Sequence, residues 1–319
     1  MTNVFQFLTM NKIIPIFMAA VIGGGAFGLT INALQNAENG FAVNKQFSAN
    51  VAQNANVSTT TNWKQKSPPV IQAASAVLTE VGGGGQSVVW AKNADKKSPI
   101  ASLTKLMTAI IAAEFYKQNQ NITITKQAVE QLDAAGFLRP GERLNLEELL
   151  KIMLVESSND AAFALTEPMG GPNGFVGLMN LKARDLGLNR TYFFNPNGLD
   201  PEDAGSPPEQ INLSTANDLV NLAKYIVSEH PEIMRILGEK KSAVYLNNGQ
   251  FHHNIQSTNE LLGQVPDIIG GKTGTTDRAG GCLLLIIRGK TPGTYLIGVV
   301  LNSPDKFADM EKIIENYGL

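Results

Sequence analysis

Three histidines, one cysteine and two tryptophans are few for a chain of 319 residues, and each shortage removes a class of function. The single Cys282 excludes an internal disulfide, and a core of this size does without one. Its place in an apolar run marks it as a buried strand residue. None of His230, His252 and His253 stands in a G-x-S-x-G setting, which removes that route to a histidine-activated serine. The adjacent pair His252-His253 also offers too few converging ligands for a metal, so no metal and no cofactor is expected. Charge is scarce and nearly balanced: 26 basic against 28 acidic residues leave a net −2, without the basic footprint of a nucleic-acid binder. A partner must then be recognised by shape and a few polar contacts.

Residues 13–31 form an apolar stretch without charge, preceded by the lone Lys12. Nineteen apolar or small residues just span a bilayer with Lys12 on the cytoplasmic side. A cleaved signal peptide is the competing reading, with Ile31-Asn32-Ala33 as the processing site. The length of the run favours the anchor, although Gly23-Gly24-Gly25 weakens it as a helix. Either way the remainder is exported, anchored at the membrane or secreted. Residues 1–33 are thus expected to be an anchor or signal, and 34–69 a linker rich in Asn, Gln, Ala, Ser and Thr that ends in Ser67-Pro68-Pro69. Residues 70–319 are expected to form the folded domain.

What the chain does have is Ser102-Leu103-Thr104-Lys105 ahead of the Ala-rich apolar run Leu106 to Ala113. The run predicts a buried helix with Ser102 in its first turn. Residues three apart share one helix face, so the Lys105 amine reaches the Ser102 hydroxyl. Burial and the positive helix N-terminus both disfavour an ammonium there, so a neutral Lys105 becomes a base for Ser102 without histidine. The pattern is short and recurs at Ser303-Pro304-Asp305-Lys306, where only the start of a terminal helix is expected. Two further motifs give it weight. Ser157-Ser158-Asn159 ends the amphipathic run Leu146 to Val155, and its polar side chains project from a helix end or the loop after it. Lys272-Thr273-Gly274 sits on a strand with small residues. Gly-Lys-Thr resembles a phosphate loop, but that loop needs a glycine five positions before Gly271, where Pro266 stands. Of three S-x-N matches, at Ser48, Ser157 and Ser257, only the Ser157 copy lies between the other two motifs on a predicted helical segment.

The ordered set S-x-x-K, S-x-N, K-T-G is similar to that of penicillin-binding proteins and class A β-lactamases. With Asn93 to Lys97, Ala183 to Leu188, Asn195 to Asp200 and Ser257 to Leu262, residues 73–319 resemble the D-alanyl-D-alanine carboxypeptidases, low-molecular-weight penicillin-binding serine peptidases of the S11 type. The resemblance implies Ser102 as nucleophile and Lys105 as its base. It implies Ser157 and Asn159 as proton relay and substrate-amide holder, with Lys272 polarising that relay. Thr273 would bind the substrate's terminal carboxylate beside Gly274. The N–H groups of Ser102 and Thr275 would form the oxyanion hole. An arginine that usually completes carboxylate recognition is missing from Asn302 to Lys306; Lys306 is the substitute, without a bidentate fork. Implied partners are a peptidoglycan stem peptide and β-lactams as covalent inhibitors. Many relatives carry a further β-rich domain and a C-terminal anchor. Neither follows here, so membrane attachment is expected at the N-terminus.

The fold expected is α/β in the α+β sense: an antiparallel sheet flanked by helices, with a helical subdomain, as in β-lactamases and transpeptidases. Ala74 to Thr79 and Ser87 to Trp90 flank a glycine turn and form a hairpin. Helices are expected from Ser102 to Gln118, Leu146 to Val155, Asp160 to Thr166, Gly174 to Leu186, and Ser214 to Ser228 with Ser214 as N-cap. Strands follow at Ile268 to Thr273, Gly281 to Arg288 and Thr294 to Leu301, with a closing helix from Asp305 to Tyr317. Three other activities remain open: a D,D-endopeptidase using the same residues, a β-lactamase, and a silent wall-binding or penicillin-sensing module. The β-lactamase needs a deacylating carboxylate, for which Glu167 and Glu202 stand in unconvincing contexts.

Overall fold

Gly83 and Gly84, both at positive φ (59° and 84°), close a two-residue turn between β1 (Ser75–Gly82) and β2 (Gly85–Lys92). Glycine enters that region without a Cβ clash, and the resulting turn matches the twist of the strands it joins. The structure, a computed structural model, describes residues 67–318 apart from 118, 134, 202–204 and 206. The anchor or signal expected at 13–31 and the linker up to 66 lie outside the described residues. Among the described residues no helix is long and apolar enough to cross a membrane.

After β3 (Ser98–Pro99), a 3₁₀ turn at Ala101–Thr104 runs into α1 (Lys105–Phe115), whose residues from Lys105 to Ala112 are all buried. A helix apolar on every side belongs inside a protein, and α1 is the central helix. Two short strands, β4 (Asn121–Thr123) and β5 (Arg143–Asn145), pair with each other. Then come α2 (Leu146–Val155), α3 (Asn159–Ala164) and α4 (Pro172–Asp185). The short β6 (Leu213–Ser214) pairs with β3 ahead of α5 (Ala216–Glu229) and α6 (Pro231–Leu237). A hairpin of β7 (Lys241–Tyr245) and β8 (Phe251–Gln256) precedes the long strands β9 (Ile268–Thr276), β10 (Gly280–Arg288) and β11 (Thr294–Ser303). Helix α7 (Lys306–Asn316) closes the chain.

The main sheet runs β2-β1-β11-β10-β9, every pair antiparallel. β1 pairs with β11 from Ser75 opposite Leu301 to Gly82 opposite Thr294, so both ends of the domain meet in one sheet, as expected. Both faces are covered, which explains the uninterrupted apolar sequence of β10. Leu283, Leu285 and Ile287 turn toward Met310, Ile313 and Ile314 of α7, while Cys282, Leu284 and Ile286 join the larger core around α1. Close packing fixes small residues too: a Cβ at Gly298 would lie 2.8 Å from Met310 Sδ.

Some boundaries differ from the sequence reading. Thr215, not Ser214, caps α5, accepting the Asp218 N–H at 3.0 Å, because Ser214 is held in β6 against Ser98. α1 ends at Phe115 rather than Gln118, where Tyr116 turns extended. Helix α6 and the β7–β8 hairpin are additions. Pro231 at the first position of α6 supplies its start signal.

One carboxylate ties the two ends of the domain. Asp309, buried in α7, accepts the N–H groups of Gln72 (3.0 Å) and Ala73 (2.7 Å) and the Ser303 hydroxyl (2.7 Å). Each buried donor left without a partner costs about 1–3 kcal/mol. Asp309→Ala is therefore expected to lower stability by about 3 kcal/mol in urea unfolding; a loss within about 0.5 kcal/mol would show that the tie is replaced by water.

Candidate active site

The turn that carries Ser102 is clamped by two glycines from distant parts of the chain. A Cβ at Gly198 would lie 2.0 Å from the Ala101 carbonyl oxygen, and one at Gly274 would lie 2.9 Å from the Ser102 nitrogen. Only glycine admits approaches this close, and together they set Ala101 at φ 46° with Ser102 between the Asn197-Gly198 loop and β9. Asn212 supports the loop. Its Oδ1 accepts from the N–H groups of Phe194 (2.7 Å) and Asn195 (3.0 Å), and its Nδ2 donates to Thr104 Oγ1 (2.8 Å).

Lys105 enters α1 directly below Ser102 and is fully buried. Its Nζ lies 2.8 Å from Ser102 Oγ, 2.7 Å from Asn159 Oδ1 and 2.6 Å from the Asn197 carbonyl oxygen. Burial, and then the charge of Lys272, hold this amine well below the usual lysine range. A neutral amine has two hydrogens and one lone pair. The Asn159 and Asn197 oxygens can only accept, so they take the two hydrogens and the lone pair is left for the Ser102 hydroxyl. Asn159 is itself oriented: its Nδ2 donates to the Leu132 carbonyl at 2.8 Å.

The second motif sits where α2 stops. Asn145 caps the start of α2 by accepting the Glu148 N–H (2.9 Å), and the chain turns after Glu156 with Ser157 at φ 66°. Ser158 then caps α3, accepting the Ala161 N–H at 3.1 Å and donating to the Ala135 carbonyl at 2.5 Å. Ser157 Oγ accepts from Lys272 Nζ at 2.8 Å, and that amine also donates to the Thr273 carbonyl at 3.0 Å. Burial first and Lys306 second push Lys272 down to about 7.

Lys272, Thr273 and Gly274 lie on β9, the edge of the main sheet. Thr273 Oγ1 meets Thr258 Oγ1 at 2.5 Å, and the exposed Thr275 hydroxyl accepts from Lys306 Nζ at 3.1 Å. Two hydrogen-bonded groups result, Ser102–Lys105–Asn159 and Ser157–Lys272, near enough for the charge of Lys272 to act on Lys105, and Lys306 stands beside Thr275. The other S-x-x-K does no such thing: Ser303 donates to Asp309, and Asp305 caps α7 through the Ala308 N–H at 3.0 Å. Glu167 accepts from Thr125 at 2.8 Å, and Glu202 lies outside the described residues. Burial pushes the Cys282 thiol up to about 11, which makes it unreactive. Sequence reasoning gave no role to the Asn197 carbonyl or to Asn212; the only signal was the Asn195-Pro196-Asn197-Gly198 turn.

Residues 62–305 match the family model described as D-alanyl-D-alanine carboxypeptidase. The chain belongs to that family of serine peptidases. It is 32% identical over 226 residues to D-alanyl-D-alanine carboxypeptidase DacF of Bacillus subtilis, covering 69% of this chain and 55% of that protein. It is 34% identical over 213 residues to a D-alanyl-D-alanine endopeptidase of Haemophilus influenzae, covering 66% of this chain and 69% of the relative. The chain therefore spans little more than half of the first relative and about two thirds of the second. Its fold matches penicillin-binding protein D2 of Listeria monocytogenes in the cefotaxime-bound form, with a TM-score of 0.67 and 29% identity over 79% of this chain and 99% of that one.

A depressed lysine pKa makes stability depend on pH. Between about pH 7 and the usual lysine range, the unfolded chain holds a proton on Lys272 that the folded protein has released, so stability rises with pH across that window. Below it, the buried ammonium is carried at full cost. Lys272→Met is therefore expected to raise Tm more, relative to the parent, at pH 6.5 than at pH 10. Equal shifts at the two pH values would mean that Lys272 titrates like an exposed lysine.

Proposed function

We propose that this chain is a serine D,D-carboxypeptidase that removes the terminal D-alanine from peptidoglycan stem pentapeptides. The observation that carries the reading is the buried Lys105 amine, with two of its three partners able only to accept and its lone pair left for Ser102 at 2.8 Å. Ser102 Oγ attacks the carbonyl of the penultimate D-alanine as Lys105 takes its proton. The N–H groups of Ser102 and Thr275 receive the charge that develops on the carbonyl oxygen. The proton taken by Lys105 passes through Ser157, in contact with Lys272, to the leaving D-alanine amine as the C–N bond breaks, which leaves Lys105 neutral again. Water then hydrolyses the acyl-enzyme with Lys105 again as base. Thr273, Thr275 and Lys306 receive the terminal carboxylate. β-Lactams would acylate Ser102 by the same route, which the cefotaxime-bound structural relative supports.

An endopeptidase that cuts D,D cross-links is the second reading, favoured by the relative of that name and by the single-point cation at Lys306. We also infer that residues 70–319 are the peptidase domain, working outside the cytoplasmic membrane, with 1–33 as anchor or signal and 34–69 as linker.

Incubation of the purified chain with pentapeptide and with cross-linked wall fragments, followed by mass spectrometry, separates the readings. Loss of one terminal alanine is expected, and Ser102→Ala should reduce it by about 10³-fold or more. Undiminished release by that variant overturns the assignment, and cleavage of cross-links alone makes the chain an endopeptidase. Lys306→Gln is expected to raise KM roughly fivefold with little change in kcat, as loss of one partly exposed ion pair allows. An unchanged KM would remove Lys306 from carboxylate recognition.

A further inference from the structure

Four titratable side chains form a line from Glu142, the residue before β5, to Glu156, the residue before Ser157. Glu142 Oε2 lies 3.2 Å from His252 Nε2, and His253 Nε2 lies 3.0 Å from Glu156 Oε2. Between them the two Nδ1 atoms face each other in a short contact. The four side chains are 6–18% exposed, and Phe137 packs edge-on against His253 with ring centroids 5.4 Å apart. Glu142 also accepts the Arg139 N–H at 2.8 Å. The charged groups on the surrounding elements have other partners: Glu148 accepts the Tyr245 N–H, Lys151 pairs with Glu147 and Glu148, and Lys272 reaches Ser157. Arg143 and Lys241, beside Glu142 and at the start of β7, are exposed to solvent.

The contacts fix a proton count. Each Nε2 faces a carboxylate oxygen, which accepts, so each Nε2 carries a hydrogen. Were both rings neutral, two Nδ1 lone pairs would oppose each other; were both charged, two N–H groups would. The Nδ1 contact becomes a hydrogen bond only when the pair holds one extra proton, three on four ring nitrogens. A positive pair then lies between two carboxylates, each bond assisted by charge.

The line ends at a backbone that needs support. Glu156 caps the C-terminus of α2, and Ser157 follows at φ 66°, a region that a non-glycine residue keeps only where its surroundings over-determine it. The β8 side supplies two ties to this corner: His253 holds the Glu156 side chain, and the Thr258 N–H donates to the Val155 carbonyl at 3.1 Å. We propose that Glu156, His252 and His253 are positioning residues for Ser157, the histidine pair tying the Glu156 side chain to Glu142 across β8. The inference rests on the reading of Ser157 as the proton relay.

The test compares kcat and KM of D-alanine release by the full chain with those of His253→Phe, His253→Gln and Glu156→Gln, beside thermal unfolding of each. In His253→Phe and Glu156→Gln, kcat/KM should fall roughly tenfold at the parent's optimum, mostly in kcat. His253→Gln keeps a donor for Glu156, so it should retain most of the activity. Nitrogen-15 spectra of labelled histidine in the parent should show both Nε2 atoms protonated and one proton shared between the Nδ1 atoms. Two neutral rings, or variants that keep the parent's kcat while losing only Tm, overturn the inference. A parent that releases no D-alanine defeats the functional reading instead, and the nitrogen spectra still decide the proton count.

Discussion

A lysine amine buried beneath a serine is the constraint on which the other parts of this molecule depend. Taking Lys105 out of water disfavours its charged form, which is what its proposed role as a base requires. The burial is maintained by α1, apolar on every side, and by the sheet against which it packs. The amine still needs hydrogen-bond acceptors, and these arrive from two remote places, Asn159 on α3 and the carbonyl of Asn197. The roles of Asn212, Gly198 and Leu132 follow from that need, since they hold the acceptors where Lys105 requires them. A core built for stability alone would have no reason to enclose an amine.

Three lysines stand in order of decreasing burial, Lys105, Lys272 and Lys306. Each of the outer two lowers the pKa of the next one inward, adding to the larger effect of burial. The arrangement lets one site hold a neutral base deep inside and a charged group at its mouth, with Lys272 near 7 between them. A carboxylate arriving at Lys306 offsets the outermost charge. Under the proposed function, substrate binding is thereby coupled to the proton affinity of Lys272 and, through it, of Lys105.

The parts of this design that were legible in the sequence are those set by local geometry. Ser102 and Lys105 meet because they are three residues apart in a helical turn, and the apolar runs of β10 and β11 announce a sheet covered on both faces. What stayed hidden depends on pairing at a distance. Ser214 and Thr215 are equally good caps, and only the pairing of Ser214 with Ser98 decides between them. The β7–β8 hairpin lacks a clean alternation because one side faces Glu142 and Glu156, more than ninety residues away in the chain. Asn197 contributes through its carbonyl, which every residue type possesses, so no side-chain motif marks it.

Two non-glycine residues at the site, Ala101 and Ser157, sit at positive φ. Such conformations cost on the order of 1–3 kcal/mol each, so the rest of the fold must offset them. The strain has a directional consequence. Ala101 is pressed by the backbones of Gly198 and β9, which fixes the Ser102 nitrogen close beside the edge strand. Ser157 is pressed between the end of α2 and the amine of Lys272, which aims its hydroxyl toward the same space. Relaxing either residue to an ordinary backbone would turn its group away. The site is therefore organised before a substrate arrives, and the energy of that organisation is stored in the folded protein rather than drawn from binding.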